Sequence, residues 1–505
     1  MRVRFTMGDK EVDVRTFRRR LAALTLAVAS GLTAFAQAPP GPPAPVSLDP
    51  QSLQAFLSKE TAARKLVGLS LAVTRDGKLV YAGAAGKSVL STGQAAGAET
   101  RFAVGSITKQ FTSACILLLA EDGRLSPTDK VAKWYPGLTR ASDITLVDLM
   151  NHVSGYPDYY PLDFVDRPMQ KPIDTDALIR QFGTRKLDFE PGTRYSYSNT
   201  GFLILGRVVE KVSGEPFDAF LQRRILKPLG MAHTLFEPRV TPGAGFAQGY
   251  MTFALGPPEI PTPEGQGWIG AAGGVYSTPS DLAAWDLALT GGKVLKPESY
   301  RLMTTPRKLA DGSSAGYGCG LAVSTRNGTA VLSHNGAVAG FYALNAMIPA
   351  TRSAVVLFSN LDSYEAVNAV YARLMASLLP PQKPPAAEPA AGKKPEAEKP
   401  AVPVVAGPPA AEAARLMFRS LQQGQVDRAL LGEEYSYFLT DAKILGAAAR
   451  LKPYAEPTKV EVESVSERGG MEVARTRLIF ASGTLRGLMY RTPDGKVQQF
   501  FVLKE

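Results

Sequence analysis

The chain has 505 residues, 45% hydrophobic and 20% charged, which gives enough apolar material for a large core and excludes a wholly disordered or collagen-like chain. Its only cysteines, Cys115 and Cys319, exclude a disulfide-rich scaffold and a four-cysteine zinc site, and His152, His233 and His334 share no metal-ligand spacing. The net charge of +11 is spread along the chain, too thinly for a nucleic-acid footprint.

Arg18-Arg19-Arg20 leads into the apolar run Leu21 to Ala29, and small residues close it at Ala34-Phe35-Ala36. This pattern predicts a signal peptide over residues 1–36, cut after Ala36, and an exported protein, periplasmic or secreted. The apolar stretch of about 16 residues is short for the roughly 30 Å hydrocarbon core, so no stable membrane span is expected. A Pro-rich lead follows over 39–49. Leu66–Thr74 and Lys78–Ala85 flank Asp76-Gly77 and predict a hairpin. Ile107, Phe111, Ala114, Cys115 and Leu118 share one face of a helix that stops near Gly123, which predicts a buried free thiol at Cys115. The middle, about 105–300, reads mainly helical. It includes a helix over Thr200–Val212 and another opened by Thr278-Pro279-Ser280-Asp281. Strands Gly320–Ser324 and Thr329–His334 flank Asn327-Gly328; Phe341–Ile348, Ser353–Ser359 and an apolar helix, Ala366–Leu378, follow.

Two N-terminal strands are too few for a stable sheet. The economical fold is therefore α/β (α+β): one antiparallel sheet in which the two ends of the unit meet, flanked by helices, with an inserted helical lobe and a cleft between the lobes. Residues 380–410 hold ten prolines and eight alanines and cannot bury enough apolar surface to fold. They divide a large unit, 50–379, from a small one, 411–505. Proteolysis in this linker is expected to release two folded pieces, the first keeping its reactivity. In the small unit, helices over 411–450 carry Ala414, Met417, Phe418 and Leu421 on one face. Strands Lys459–Val465, Val473–Phe480, Thr484–Arg491 and Gln498–Leu503 follow. This order resembles a cystatin-like or nuclear-transport-factor-like α+β fold. It holds no His or Cys and reads as a packing or partner module, its partner unknown.

Three short motifs carry chemistry. Ser106 and Lys109 form the single S-x-x-K, at a helix start where i, i+3 spacing puts both on one face. A serine needs a neighbouring base, and a lysine can be one if burial lowers its pKa. Tyr197 and Asn199 form the single Y-x-N; the tyrosine can act as phenolate or as a neutral proton relay, and the amide can bind a carbonyl or cap the next helix. His334 and Gly336 form the single H-x-G, at a strand end where the Ala337 amide can face a reacting carbonyl oxygen.

Together, in this order, the motifs resemble the active-site triplet of penicillin-recognising serine enzymes, and among them the class C β-lactamase-like family of DD-carboxypeptidases, D-amino-acid peptidases and esterases. Thr145 to Gly155, Pro191-Gly192-Thr193, Pro228 to Met231, Ala272 to Ser277, Gly340-Phe341 and Ser359-Asn360 extend the similarity over about 50–378. The resemblance implies Ser106 as acyl-accepting nucleophile, Lys109 as its base, Tyr197 as proton relay to the leaving group and Asn199 as a substrate-orienting amide. It implies an oxyanion hole from the Ser106 and Ala337 amides, and no cofactor. His334 stands where β-lactamases usually have lysine, and Asn335 and Ala337 where hydroxyls often grip a carboxylate. The imidazole is expected to titrate near neutrality and to weaken anion recognition. The expected function is an exported serine hydrolase acting through an acyl-enzyme on a peptide, amide or ester. The donor is a small molecule or peptide, cell-wall peptide among the candidates. The alternatives are a β-lactamase and a non-enzymatic penicillin-binding sensor or scaffold. The donor depends on the loops around 156–175 and 240–268.

Overall fold

The computed structural model describes residues 45–381 and 402–504. The expected signal peptide lies outside them, as do residues 382–401 of the expected linker. Helix α1 (Pro50–Ala63) opens on Asp49, whose carboxylate accepts from the Ser52 amide at 2.9 Å, with Pro50 in the first turn. Strands β1 (Gly68–Arg75) and β2 (Lys78–Val89) form the hairpin expected at Asp76-Gly77. Short strands β3 (Gln94–Ala95) and β4 (Phe102–Ala103) lead to a 3₁₀ turn at Gly105–Ile107, which runs into α2 (Thr108–Glu121). Then come α3 (Leu146–Met150), α4 (Thr175–Gly183), α5 (Asn199–Ser213), α6 (Phe217–Leu221), β5 (Leu235–Phe236), α7 (Gly270–Gly273), β6 (Val275–Ser277), α8 (Pro279–Thr290) and α9 (Pro297–Thr304). Strands β7 (Ala322–Arg326), β8 (Thr329–Val338), β9 (Phe341–Ile348) and β10 (Ser353–Ser359) and helix α10 (Tyr364–Leu378) follow.

The main sheet is antiparallel with strand order β3-β2-β1-β10-β9-β8-β7. The two ends of the unit meet at the β1–β10 pair, where Leu71 faces Leu357. Both faces of the sheet are covered, so β1 and β10 are buried nearly throughout rather than on alternate residues. Leu69, Leu71, Val73, Val355 and Leu357 join α1 and α10 on one face; Ala72, Val356 and Phe358 join α2 and α8 on the other. A small sheet of order β4-β6-β5 went unread in the sequence, because strands of two or three residues show no alternation. Cys115 and Cys319 are both buried and free.

The C-terminal part holds α11 (Ala410–Gln423), α12 (Glu433–Phe438), α13 (Asp441–Leu451) and strands β11 (Lys459–Arg468), β12 (Met471–Phe480), β13 (Gly483–Arg491) and β14 (Val497–Lys504), an antiparallel meander in sequence order. The parts on either side of the linker are in contact. Phe164, Met251, Phe253 and Ala254 share one hydrophobic core with Phe418, Tyr435 and Phe501 of the C-terminal part. Arg167 reaches Glu434 at 2.7 Å, Arg486 reaches Glu365 at 2.6 Å, and Arg450 donates to the carbonyls of Phe253 and Ala254 at 3.0 and 2.9 Å. The composition of the 380–410 stretch carries no information about the faces on either side.

Candidate active site

The turn Gly105–Ile107 holds Ser106, and the first residues of α2 hold Lys109. Lys109 is wholly buried, beneath the rings of Tyr197 and Phe202, whose centroids lie 4.8 and 5.3 Å from Nζ. Its amine lies 3.0 Å from Ser106 Oγ, 2.7 Å from Asn199 Oδ1 and 2.7 Å from the Ala272 carbonyl oxygen. Burial pushes the ammonium down to about 7, against an opposing effect of the Asp158 carboxylate. The geometry then sets the orientation of the neutral amine. Both carbonyl oxygens can only accept, so they take its two N–H groups, and its lone pair is left facing the Ser106 hydroxyl.

Helix α5 opens with Ser198 in extended backbone and Asn199 as its first residue, so Asn199 is not the N-cap. Its side chain is spent elsewhere: Nδ2 donates to Asp158 Oδ1 at 2.9 Å while Oδ1 accepts from Lys109. Tyr197 lies at the mouth of this cluster, within hydrogen-bond reach of Ser106. Burial raises its phenol well above the ordinary range, so the hydroxyl keeps its proton near neutral pH. Behind it the His152 ring packs tilted against the phenol, centroids 4.2 Å apart, with Nδ1 accepting from the Ser198 amide at 3.1 Å.

Strand β8 closes the other side. A Cβ on Gly336 would stand 1.9 Å from the Val104 carbonyl oxygen and 2.8 Å from the Ser106 nitrogen. A Cβ on Gly105, whose φ is +50°, would stand 2.8 Å from the Ala337 nitrogen. Only glycines let these two backbones run so close, and the closeness puts the Ser106 and Ala337 amides side by side. His334 is placed at the site, but its expected titration near neutrality is corrected. Nδ1 lies 2.5 Å from the Asn335 carbonyl oxygen, which can only accept, so Nδ1 carries the proton. Nε2 then accepts from the Tyr317 hydroxyl at 2.6 Å. Burial, with the nearby Lys109 charge, pushes the imidazole down to about 3, so it is neutral over the whole physiological range.

Ser106, Lys109, Tyr197, Asn199, His334 and Ala337 are thus all brought together. Ser106, Tyr197, His334 and Ala337 line a cavity of about 1500 Å³, as do Arg468 and Tyr490 of the C-terminal part. Four further residues went unread: His152, Asp158, Tyr317 and Arg468. His152 stands in the sequence only as one of three scattered histidines and as part of the segment Thr145 to Gly155. Asp158, Tyr317 and Arg468 had no motif to mark them.

Residues 53–379 match the family model described as Beta-lactamase. The chain belongs to the Beta-lactamase family. It shares the penicillin-recognising serine-hydrolase fold of that family. The putative penicillin-binding protein PbpX of Bacillus subtilis is 30% identical over 269 residues, covering 52% of this chain and 63% of that protein. A D-aminopeptidase of Brucella anthropi is 29% identical over 304 residues, covering 58% of this chain and 56% of that protein. The chain therefore spans less than two thirds of either relative's length. Among solved structures, the D-amino acid amidase from Ochrobactrum anthropi SV3 complexed with L-phenylalanine amide has TM-score 0.55 and 26% identity, covering 64% of this chain and 97% of that one. The octameric penicillin-binding protein homologue from Pyrococcus abyssi has TM-score 0.57 and 22% identity. That match covers 90% of this chain and 99% of that one, a likeness of fold that reaches into the C-terminal sheet.

Proposed function

We propose that the chain is an exported serine hydrolase that cleaves amides or peptides of the D-amino-acid type through an acyl-enzyme on Ser106. The observation that carries this reading is the Lys109 amine, whose two carbonyl partners leave its lone pair on the Ser106 hydroxyl. Ser106 Oγ attacks the donor carbonyl as its proton passes to Lys109 Nζ. The oxyanion settles between the amides of Ser106 and Ala337. The bond to the leaving nitrogen breaks, and Tyr197 hands that nitrogen a proton, replenished from Lys109. Water then attacks the ester on Ser106, releasing the acid and restoring the hydroxyl. The D-amino-acid class is supported by the D-aminopeptidase and D-amino acid amidase likenesses. A neutral His334 supports it over β-lactam hydrolysis, because no cation stands on β8 to draw in the β-lactam carboxylate. The signal-like pattern over residues 1–36 supports export.

The test is intact-mass spectrometry after incubation with a fluorophosphonate, followed by turnover of D- and L-amino-acid amides. The expected result is one adduct on Ser106, absent in Ser106→Ala, and hydrolysis of the D-amide. Labelling that persists in Ser106→Ala would overturn the nucleophile. Export is tested by fusing residues 1–36 to a reporter active only outside the cytoplasm, and a silent reporter would overturn it.

A further inference from the structure

Asn199 has to present Oδ1 to Lys109; with its NH2 group there, the amine lone pair would turn to Asn199 and away from Ser106. Asp158 settles which way the amide points. Its Oδ1 takes both the backbone N–H of Asn199 at 3.0 Å and the Nδ2–H at 2.9 Å. A carboxylate oxygen can only accept, so the amide turns its NH2 toward Asp158 and its oxygen toward Lys109. Asp158 is buried, 7% exposed, and its Oδ2 has no hydrogen-bond partner among the described residues. A buried carboxylate with an idle oxygen is a costly way to stabilise a fold. It is an effective way to fix an amide.

The segment that carries Asp158 is irregular, and the C-terminal part grips it. Arg468, the last residue of β11, donates to the Tyr160 carbonyl oxygen at 3.2 Å and to Asp163 Oδ1 at 3.0 Å. Asp163 Oδ2 accepts from the Tyr490 hydroxyl at 2.8 Å and from Gln499 Nε2 at 2.7 Å. Gly469 lies against Pro161 so closely that a Cβ would stand 2.7 Å from the proline ring. A chain of contacts therefore runs from the β11–β12 hairpin through 160–163 to Asp158, Asn199, Lys109 and Ser106.

We propose that Asp158 is a positioning residue that sets the amide of Asn199 and thereby aims Lys109 at Ser106, and that the β11–β12 hairpin holds Asp158 in place through Arg468. This rests on the acyl-transfer reading above. It gives the C-terminal part a task in that reaction. The charges around Lys109 supply a signature. His152 and His334 are kept neutral by burial, and Tyr197 is a neutral phenol. Asp158 and Arg468 remain, the first favouring the protonated lysine and the second opposing it. Neutralising them moves the lysine titration in opposite directions, which a merely structural role does not do.

The experiment measures kcat/KM against pH on the full chain with a neutral ester, for wild type, Lys109→Ala, Asp158→Asn, Asp158→Ala and Arg468→Gln. Asp158→Asn keeps an acceptor and loses the charge, so its alkaline-rising limb is expected to move down by about one pH unit. Arg468→Gln is expected to move the limb up by less. Asp158→Ala frees the amide and is expected to lower kcat/KM by about 10²-fold, as small misplacements at a reacting centre do. Lys109→Ala tests the underlying reading: wild-type rates in that variant overturn Lys109 as base whatever Asp158 does. If Lys109→Ala is dead while Asp158→Ala keeps wild-type kcat/KM, or if Asp158→Asn and Arg468→Gln move the limb the same way or not at all, the positioning role is overturned. Arg468→Gln carries the pH test should the Asp158 variants fail to fold.

Discussion

Lys109 is wholly buried and its ammonium is held near 7, so the neutral amine needed as base accumulates only as pH rises through that value. We expect kcat/KM for an uncharged ester to rise through a midpoint near 7 and then level; a flat profile from pH 5.5 to 8.5 would remove Lys109 as the titrating base. His334 is already neutral above about 3 and contributes no step in that window. His334→Gln, also neutral and able to accept from Tyr317, is expected to leave the midpoint in place while lowering kcat/KM a few-fold through altered packing. A midpoint displaced by a full unit in that variant would restore an electrostatic role. Sequence alone assembled this cluster at the level of residue types, because a nucleophile, a base and a relay each need a particular chemistry at a particular spacing. It could not give the protonation states. His334 looked like a neutral-range switch until its burial, its proton on the Asn335 carbonyl side and its Tyr317 partner, 17 residues away, were visible.

Elements place the cluster, and two of them carry testable stress. Strand β8 approaches Gly105 and Ser106 so closely that Gly336 has no room for a methyl group. Gly336→Ala must push the strand away, carrying the Ala337 amide off the position where a reacting carbonyl oxygen would sit. We expect a loss on the order of 10²-fold in acylation rate, the usual scale for one oxyanion donor, with about 1–3 kcal/mol lost from overpacking. Near-normal acylation would mean the two amides do not act together. Between α8 and the sheet, Trp285 donates to Gln110 at 2.9 Å, Gln110 to Asn345 at 2.9 Å, and Asn345 to Asp286 at 2.6 Å. Burial raises the Asp286 carboxyl well above its ordinary range, despite the Asn345 bond. A raised folded pKa means stability is fully present below the unfolded pKa and is lost as pH rises toward the folded one. Asp286→Asn, which cannot ionise, should therefore raise Tm near pH 7.5 relative to wild type and lose that advantage near pH 4. An equal effect at both pH values would show that ionisation plays no part. The hairpins around Asp76-Gly77 and Asn327-Gly328, and the order of the C-terminal strands, were legible because turn dipeptides and alternation are local signals. The β4-β6-β5 sheet and the long irregular segments around 156–174 and 238–269 were not, because what shapes them is contact with distant chain.

At the scale of the whole molecule, composition says nothing of contact between the two parts. A Pro- and Ala-rich stretch reads as a tether between separate bodies, yet the segments that wall the cleft share a core with the C-terminal part. Phe253 packs edge-on to Phe438 and Phe501, with centroids 5.6 and 6.1 Å away, and Phe164 packs tilted against Phe438 at 4.7 Å. Arg167 forks onto Glu434, and Lys443 pairs with Glu259 across the same boundary. Aromatic pairs of this kind add roughly 0.5–1.5 kcal/mol each beyond their buried area. Ion pairs at partly exposed positions add little, at most about 1 kcal/mol each. Adhesion between the two parts is therefore expected to survive salt and to fail when the aromatic contacts are removed. A protease site inserted between residues 390 and 391 allows the test. After cutting, the two pieces should co-elute on gel filtration in 1 M NaCl and keep the acylation rate of the intact chain. Phe438→Ala in the cut protein removes contacts to Phe164, Phe253 and Phe501 together and should let the pieces part. Acylation should then fall, because the segment bearing Asp158 loses the hairpin that grips it. If the cut wild-type pieces separate freely and the larger one acylates at the full rate, the C-terminal part is a tethered neighbour and not a wall of the site.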